Sequence, residues 1–351
     1  MKGFYSVLKT CEPYERFVFI TGVGKFFKVS IFSDLNNLTD ISMHDDYAEM
    51  CGYTEKELEE NFHGWFEEIA NKTETNYSVL LKNVKKWYDG YKFSKNGENV
   101  YNPVSLAKFI FNHGDFSNYW FETGSPSILI KLLKNTSFDL DEIINKYQGE
   151  NIFTAFEPSK ISLIALMYQT GYITIKDTIK DDILTLYKLG FPNFEVEESF
   201  YKCLLEGINS ENNIYESLYV AMRLSLSSGD LTDMMKRMDS FFAGISYAMY
   251  SNEEKLYHMV FFIILKLMGA KTDGEVCTSD GRIDAVVEKN GFVYLFEFKI
   301  DKTEEIAINQ IISKKYFKPY LNCGKKIIAV GVNFDSNTRR MASWKQETIT
   351  E

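Results

Sequence analysis

Residues 282–299 read Arg282-Ile283-Asp284-Ala285-Val286-Val287-Glu288-Lys289-Asn290-Gly291-Phe292-Val293-Tyr294-Leu295-Phe296-Glu297-Phe298-Lys299. Two runs rich in β-branched and aromatic residues flank Asn290-Gly291, and Asn-Gly between such runs is the strongest short-range hairpin signal. With Asn290 and Gly291 as the two turn residues, Lys289 pairs with Phe292, and the same register carries Asp284 to a place directly opposite Glu297. Opposed residues have Cβ atoms about 4.5–5.5 Å apart. Two carboxylates at that separation, in strands this apolar, destabilise a sheet unless a cation lies between them. The stretch therefore predicts a divalent-metal site.

Working outward, alternation on the second strand puts Val293, Leu295, Glu297 and Lys299 on one face and Phe292, Tyr294, Phe296, Phe298 and Ile300 on the other. The second face reads as core. The first turns from apolar to charged where Asp284 arrives opposite. A metal held there would lower the pKa of a bound water and neutralise charge on a phosphate oxygen. A lysine beside it would orient the water or stabilise the transition state. Oxygen ligands fit Mg²⁺ or Mn²⁺ better than zinc. Before the hairpin, a helix is predicted from about Asn252 to Met268, with Glu254 and His258 four apart on one face. A strand is expected at about 273–278. After the hairpin, Thr303 is expected to cap a helix carrying Gln310 and Lys314, followed by a strand from Ile327 to Asn333. The order is helix, three strands, helix, strand.

The chain has 351 residues, 45% hydrophobic and 25% charged, with 28 Phe, 22 Tyr and six Pro. That is ordinary for globular protein and argues against long disordered tethers. Five scattered cysteines without a Cys-x-x-Cys read as reduced thiols, not as a disulfide frame or zinc site. The longest apolar run, Met259 to Leu265, is too short to span a bilayer, and no signal segment opens the chain. A soluble, cytoplasmic protein is expected. The net charge of −10 counts against non-specific nucleic-acid binding over the whole surface. From Phe292 onward, however, ten Lys/Arg stand against seven Asp/Glu, so this segment is locally basic. A solvated face explains that as readily as a binding face does.

Elsewhere, Arg16-Phe17-Val18-Phe19-Ile20-Thr21 reads as a buried strand running into Gly22-Val23-Gly24-Lys25. Gly24-Lys25 does not complete a phosphate loop, because Phe19 and Phe26 stand where that motif needs Gly and Ser/Thr. Thr54 and Glu57 form a capping-box signature for a helix reaching toward Ile69. A second helix is expected from Tyr77 to Trp87. Asn102-Pro103 and Ser125-Pro126 open two more. Tyr88-Asp89-Gly90-Tyr91 reads as a turn whose aromatic flanks pack a core in preference to stacking on bases. Residues 159–169, 171–187 and 192–205 read as helix, hairpin, helix, a winged-helix-like order favoured as a packing module. Met222, Met234, Met235 and Met238 read as core filling.

The αβββαβ order, with Asp284 followed by Glu297-Phe298-Lys299, resembles the PD-(D/E)XK nuclease superfamily over about residues 250–345. The resemblance implies that Asp284 and Glu297 hold Mg²⁺ or Mn²⁺ with the Phe298 carbonyl, and that Lys299 assists the attacking water. It further implies that Glu254 binds a second ion or its water, and that Gln310 positions Lys299 or the phosphate. His258, in Tyr257-His258, falls where a related branch has such a pair. The substrate implied is DNA, entering along Lys314, Lys315 and Lys318. Phe19-Ile20-Thr21-Gly22-Val23, Trp87-Tyr88-Asp89-Gly90-Tyr91, Tyr101-Asn102-Pro103, Trp120-Phe121-Glu122-Thr123-Gly124-Ser125, Tyr168-Gln169-Thr170-Gly171-Tyr172 and Leu189-Gly190-Phe191-Pro192-Asn193 resemble proteins that fuse an AAA-ATPase-like domain to such a nuclease-like domain. In that family the phosphate loop lies upstream of the first stretch, so neither ATP binding nor ATP hydrolysis is expected of this chain. The leading strand would keep an exposed edge, a route to homo-oligomers.

The fold expected is mixed α/β in four parts. They are a partial AAA-ATPase-like region with a helical lid (1–150), a winged-helix-like unit (151–210), a helical connector (211–250) and an αβββαβ restriction-endonuclease-like domain (251–351). The function expected is metal-dependent hydrolysis of DNA. The alternative is a non-catalytic interaction protein that keeps an inactive nuclease-like fold, with the carboxylates neutralised by Arg282 and Lys299.

Overall fold

The structure, a computed structural model, describes residues 7–8, 10–22, 38–121, 143–144, 146–153, 162–208, 214–243, 253–268, 271–272, 276–278, 281–338 and 340–349. The helix expected at Ser125-Pro126 lies outside the described residues. The chain divides into two compact units, Met1–Phe200 and Tyr201–Glu351.

In the first unit, helix α1 spans Glu55–Lys72 and opens on the expected capping box. Thr54 Oγ1 accepts from the Glu57 N–H at 3.2 Å, while the Glu57 carboxylate accepts from the Thr54 N–H at 2.9 Å. Asn76 caps α2, Tyr77–Tyr88, and Asn102 caps α3, Pro103–Phe111, with proline at the first helical position. Between them β1, Asp89–Tyr91, pairs antiparallel with β2, Val100–Tyr101. Leu58, Phe66, Ile69, Leu80, Val84, Tyr88, Leu106 and Phe109 form one buried core. The aromatics around the β1 turn pack inward as expected: the Trp87 ring lies 4.8 Å from Phe194 and 5.5 Å from Phe116. Gly90 has φ +123°, and a Cβ there would lie 2.1 Å from the Pro192 carbonyl oxygen. Only glycine permits that approach, which explains why the Asp89-Gly90-Tyr91 and Phe191-Pro192-Asn193 stretches pack on each other.

Helix α4, Leu163–Gln169, strands β4, Thr174–Lys180, and β5, Thr185–Gly190, and helix α5, Phe194–Ile208, follow in the expected helix–hairpin–helix order. A strand not foreseen, β3 at Tyr147–Gly149, pairs with the free edge of β5. The strand expected at 16–21 is corrected. Residues 17–22 carry no regular structure, and Phe17 and Phe19 are 81% and 51% exposed. An apolar run becomes a buried strand only where neighbouring strands take its backbone groups, and among the described residues none pairs with it.

The second unit begins with α6, Ile214–Ser228, and α7, Leu231–Ala243. Met222, Met234, Met235 and Met238 are all buried there as core filling. Helix α8, Glu253–Leu267, precedes β6, Lys271–Thr272, β7, Val276–Thr278, β8, Gly281–Ile283, β9, Ala285–Lys289, and β10, Phe292–Ile300. Helix α9, Glu304–Ser313, then crosses to β11, Lys326–Asp335, and β12, Arg340–Ile349. The five-stranded sheet has the order β12-β11-β10-β9-β6, and β7 and β8 form a separate pair. β10 and β11 are parallel, the crossover being α9; the other pairs are antiparallel.

The register of the hairpin is the one read from Asn290-Gly291: Lys289 pairs with Phe292 and Ala285 with Phe296. Both faces of β10 are covered. Val293 and Leu295 join Ile308 and Ile311 of α9 in one cluster. On the other face Phe296 and Phe298 meet Phe261 of α8 at 5.5 and 4.7 Å. Strand β12 was not expected. Most of its residues are exposed, so its sequence lacks the apolar alternation that marks a half-buried strand. Among the described residues no helix is long and apolar enough to cross a membrane.

Candidate active site

Glu297 and Lys299 stand two residues apart near the carboxyl end of the central strand, where open α/β sheets place their ligand sites. Both share the α9 face with Val293 and Leu295. Glu297 is 2% exposed. One carboxylate oxygen, Oε1, accepts from Lys299 Nζ at 2.7 Å, and the other, Oε2, is buried with no hydrogen-bond partner among the described residues. Burial pushes the Glu297 pKa up to about 7. The Asp284 charge pushes the same way, while the Lys299 bond and a backbone hydrogen bond from Asp284 oppose them.

The position of Asp284 refines the sequence expectation. The β9–β10 ladder stops at the Ala285–Phe296 pair, one step short of Asp284 and Glu297. The chain bends at Asp284 as it leaves β8, which pairs with β7, and enters β9, which pairs with β10. The Asp284 carboxylate takes the place of the missing ladder acceptor: its Oδ2 accepts from the Phe298 N–H at 2.7 Å. Asp284 is thus fixed to the residue between Glu297 and Lys299. A backbone bend does the positioning that the sequence had given to cross-strand pairing.

Two features that the sequence reading missed hold this corner. Gly331 is the β11 partner of Glu297, and a Cβ on it would lie 2.3 Å from the Glu304 carbonyl oxygen. The glycine lets the first turn of α9 press onto the sheet beside the buried carboxylate, which keeps water from it. Asn333, the β11 partner of Lys299, accepts from the Lys302 N–H at 3.1 Å. Asp301, at φ +50°, accepts from Ser336 N–H and Oγ at 2.9 and 2.6 Å. These bonds tie the β10–α9 connection to the end of β11. A lone Gly inside an apolar strand run was the available signal for close backbone approach.

The remaining candidates are placed as follows. Glu254 and His258 fall in the first half of α8, whose side chains lie outside the described residues. Gln310 Nε2 donates to Tyr316 Oη at 3.5 Å, and among the described residues no hydrogen bond joins it to Lys299. Thr303 is the first cap residue of α9 but makes no side-chain capping bond. Lys314, Lys315 and Lys318 are exposed at the C-terminal end of α9. That end is about 15 Å along the helix from the turn beside Glu297, so these lysines do not converge on the carboxylates.

Among the described residues no group of three or more Asp, Glu, His or Cys side chains gathers as a metal centre. The donors present still fit a hard divalent cation. An orphaned buried carboxylate oxygen costs free energy unless something satisfies it, and an oxygen-only set suits Mg²⁺ or Mn²⁺.

Compared with known proteins, residues 252–344 match the family described as the PD-(D/E)XK nuclease superfamily. The C-terminal unit carries a PD-(D/E)XK nuclease superfamily domain. The match contains Asp284, Glu297, Lys299 and Gln310. Over 99% of its length the chain is also similar, at 33% identity, to an uncharacterized protein in the vnfD 5′ region of Azotobacter chroococcum mcd 1. The chain spans 66% of that protein's length. No solved structure matches the chain.

Proposed function

We propose that the C-terminal domain is a Mg²⁺- or Mn²⁺-dependent deoxyribonuclease whose centre is Asp284, Glu297 and Lys299. The observation that carries this reading is the Glu297 carboxylate: buried, fixed by Lys299 on one oxygen, unsatisfied on the other, and beside a second carboxylate. Asp284 and Glu297 would hold the cation, with the Phe298 carbonyl as a further donor. The ion, when bound, supplies charge neutralisation and a more acidic water. Lys299 orients the carboxylate in the resting protein and offers a cation to a scissile phosphate. Glu254 and Gln310 are assigned supporting roles on the resemblance described above, and Lys314, Lys315 and Lys318 contact the DNA backbone away from the cut. In the same reading residues 1–150 are an AAA-ATPase-like region with a helical lid, 151–210 a winged-helix-like unit and 211–250 a helical connector.

The test is cleavage of linear and supercoiled DNA with Mg²⁺, Mn²⁺ or chelator. Cleavage by the wild-type chain that Glu297→Gln abolishes supports the reading, and absence of both cleavage and metal-dependent stabilisation in wild type ends it. One observation favours a second reading. Lys299 already neutralises Glu297 in a shielded ion pair, with side chains 15% and 3% exposed, which suits a non-catalytic module retaining the fold. That reading expects no metal-dependent change in melting temperature and intact biological function in Lys299→Met.

A further inference from the structure

The end of the sheet opposite Glu297 gathers three cations, Arg223, Lys289 and Lys326, without an ion-pair partner among the described residues. In the register across β9, β10 and β11, Lys289, Phe292 and Lys326 stand side by side. In-register partners project to one side of a sheet, here the aromatic face and not the α9 face that carries Glu297. The β9–β10 turn is docked on the end of α6: Asn290 Nδ2 donates to the Ser227 carbonyl at 2.9 Å, and a Cβ on Gly229 would lie 2.9 Å from the Phe292 ring. Arg223 lies one helical turn before Ser227, on the same face of α6, and its charge bears on Lys289.

The other charged groups of this end are accounted for within the molecule. Lys325 pairs with Glu288. Asp230 accepts from the Asp233 N–H and caps α7. Lys314 and Lys315 complement the C-terminal dipole of α9. Arg223, Lys289 and Lys326 form no ion pair among the described residues. Burial and the nearby Arg223 charge both disfavour the charged form of Lys289, and among the described residues no ion pair balances either cation. Such an arrangement costs free energy unless a ligand supplies the negative charge.

We infer that Arg223, Lys289 and Lys326 form a nucleic-acid backbone site, separate from the carboxylate centre, that holds duplex phosphates. From Phe292 to Glu297 is five strand residues, about 17 Å, so the phosphate held here is not the one at Glu297. The choice of nucleic acid over another polyanion rests on the nuclease reading of the same domain. The presence of an anion site does not.

The experiment uses the full chain carrying Glu297→Gln, so that nothing is cut, and a fluorescent 20-base-pair duplex read by anisotropy across a salt series. Arg223→Glu with Lys289→Glu is expected to weaken binding by at least about tenfold at low salt and to lower the salt slope by about two, roughly one per lost phosphate contact. Lys326→Gln should weaken binding by a smaller factor and lower the slope by about one. The neutral pair Arg223→Gln with Lys289→Gln serves if the charge reversal fails to fold. Unchanged affinity and slope in a folded double variant would overturn the site. Binding of poly-glutamate or anionic vesicles that duplex DNA does not compete away would overturn the nucleic-acid assignment. Because binding is read without cleavage, a nuclease reading that fails leaves this result standing, and loss of this site leaves cleavage at Glu297 separately measurable.

Discussion

Each unit buries one glutamate whose pKa is pushed up to about 7, Glu195 in the first and Glu297 in the second. Both are shielded from solvent, and both keep one carboxylate oxygen, Oε2, without a partner among the described residues. Burial is the main cause for each. Their neighbours differ. Glu195 Oε1 accepts from Ser105 Oγ at 3.1 Å and the Trp120 N–H at 2.8 Å, and the minor influences on it all favour the charged form. Glu297 faces Asp284, whose charge raises its pKa further, and Lys299, which opposes that. Burial thus raises both, one among hydrogen-bond donors and the other beside a second carboxylate. In the function proposed above, the second is the pair that would hold a cation.

The largest way to break this comparison is Glu297→Gln. It keeps the shape and removes the charge. If the carboxylate holds metal, DNA cleavage falls by at least about 10²-fold, since even groups one step removed from a metal cost 10- to 100-fold. The stabilisation by Mn²⁺ expected in a thermal melt of the wild type should disappear with it. The matched change, Glu195→Gln, should leave cleavage and metal response unaltered. A metal response lost equally in both variants would erase the distinction drawn here.

Next in size is stability. Glu195→Ala strands the Ser105 hydroxyl and the Trp120 N–H in the interior, and each unsatisfied buried donor costs about 1–3 kcal/mol. Chemical denaturation should show a loss of about 2–6 kcal/mol for the two donors together, with most of it recovered in Glu195→Gln, whose amide oxygen still accepts. Lys299→Met has a different outcome, because Glu297 can take up a proton once its partner is gone. The loss should therefore be small near pH 5 and grow toward pH 8, whereas Glu195→Ala should cost more at pH 5 than at pH 8, because the raised pKa of Glu195 stabilises the wild type only where that carboxyl is protonated.

The C-terminal fold was largely legible because its signals are local. Asn290-Gly291 sets a register within two residues, and alternation along residues 292–300 assigns both faces. What failed depended on neighbours distant in sequence. The run 16–21 has strand composition, yet it gains burial only if other strands receive it. β12 pairs along ten residues with few apolar side chains, because an edge strand draws its order from ladder bonds that leave no periodicity. Within the site, the residue types at 284, 297 and 299 were readable, but the bend at Asp284 was not, since it reflects strands β8 and β9 taking different partners. Gly331 and Asn333 act through the α9 crossover, whose closeness to the sheet no local pattern encodes.

The smallest effect expected concerns pH in metal-free protein. A carboxylate whose folded pKa exceeds its ordinary value of 4.5 binds its proton more tightly when folded, so the unfolded chain holds fewer protons between pH 4.5 and 7. Stability is then greatest below pH 4.5, declines through that window, and levels off above pH 7, by on the order of 3 kcal/mol per glutamate at most. Other carboxylates whose pKa values are lowered, such as Glu57 and Asp233, act in the opposite sense below that window. Asp89, whose pKa burial also raises, acts in the same sense as the two glutamates. Glu195→Gln and Glu297→Gln should each remove one share of the decline. Saturating Mg²⁺ should remove the Glu297 share alone, because a bound cation stabilises the charged form that Asp284 otherwise disfavours. Melting curves of wild type and the two variants at pH 5, 6 and 7, with and without Mg²⁺, measure both shares, and a magnesium effect that persists in Glu297→Gln would mean that the cation binds somewhere other than between these carboxylates.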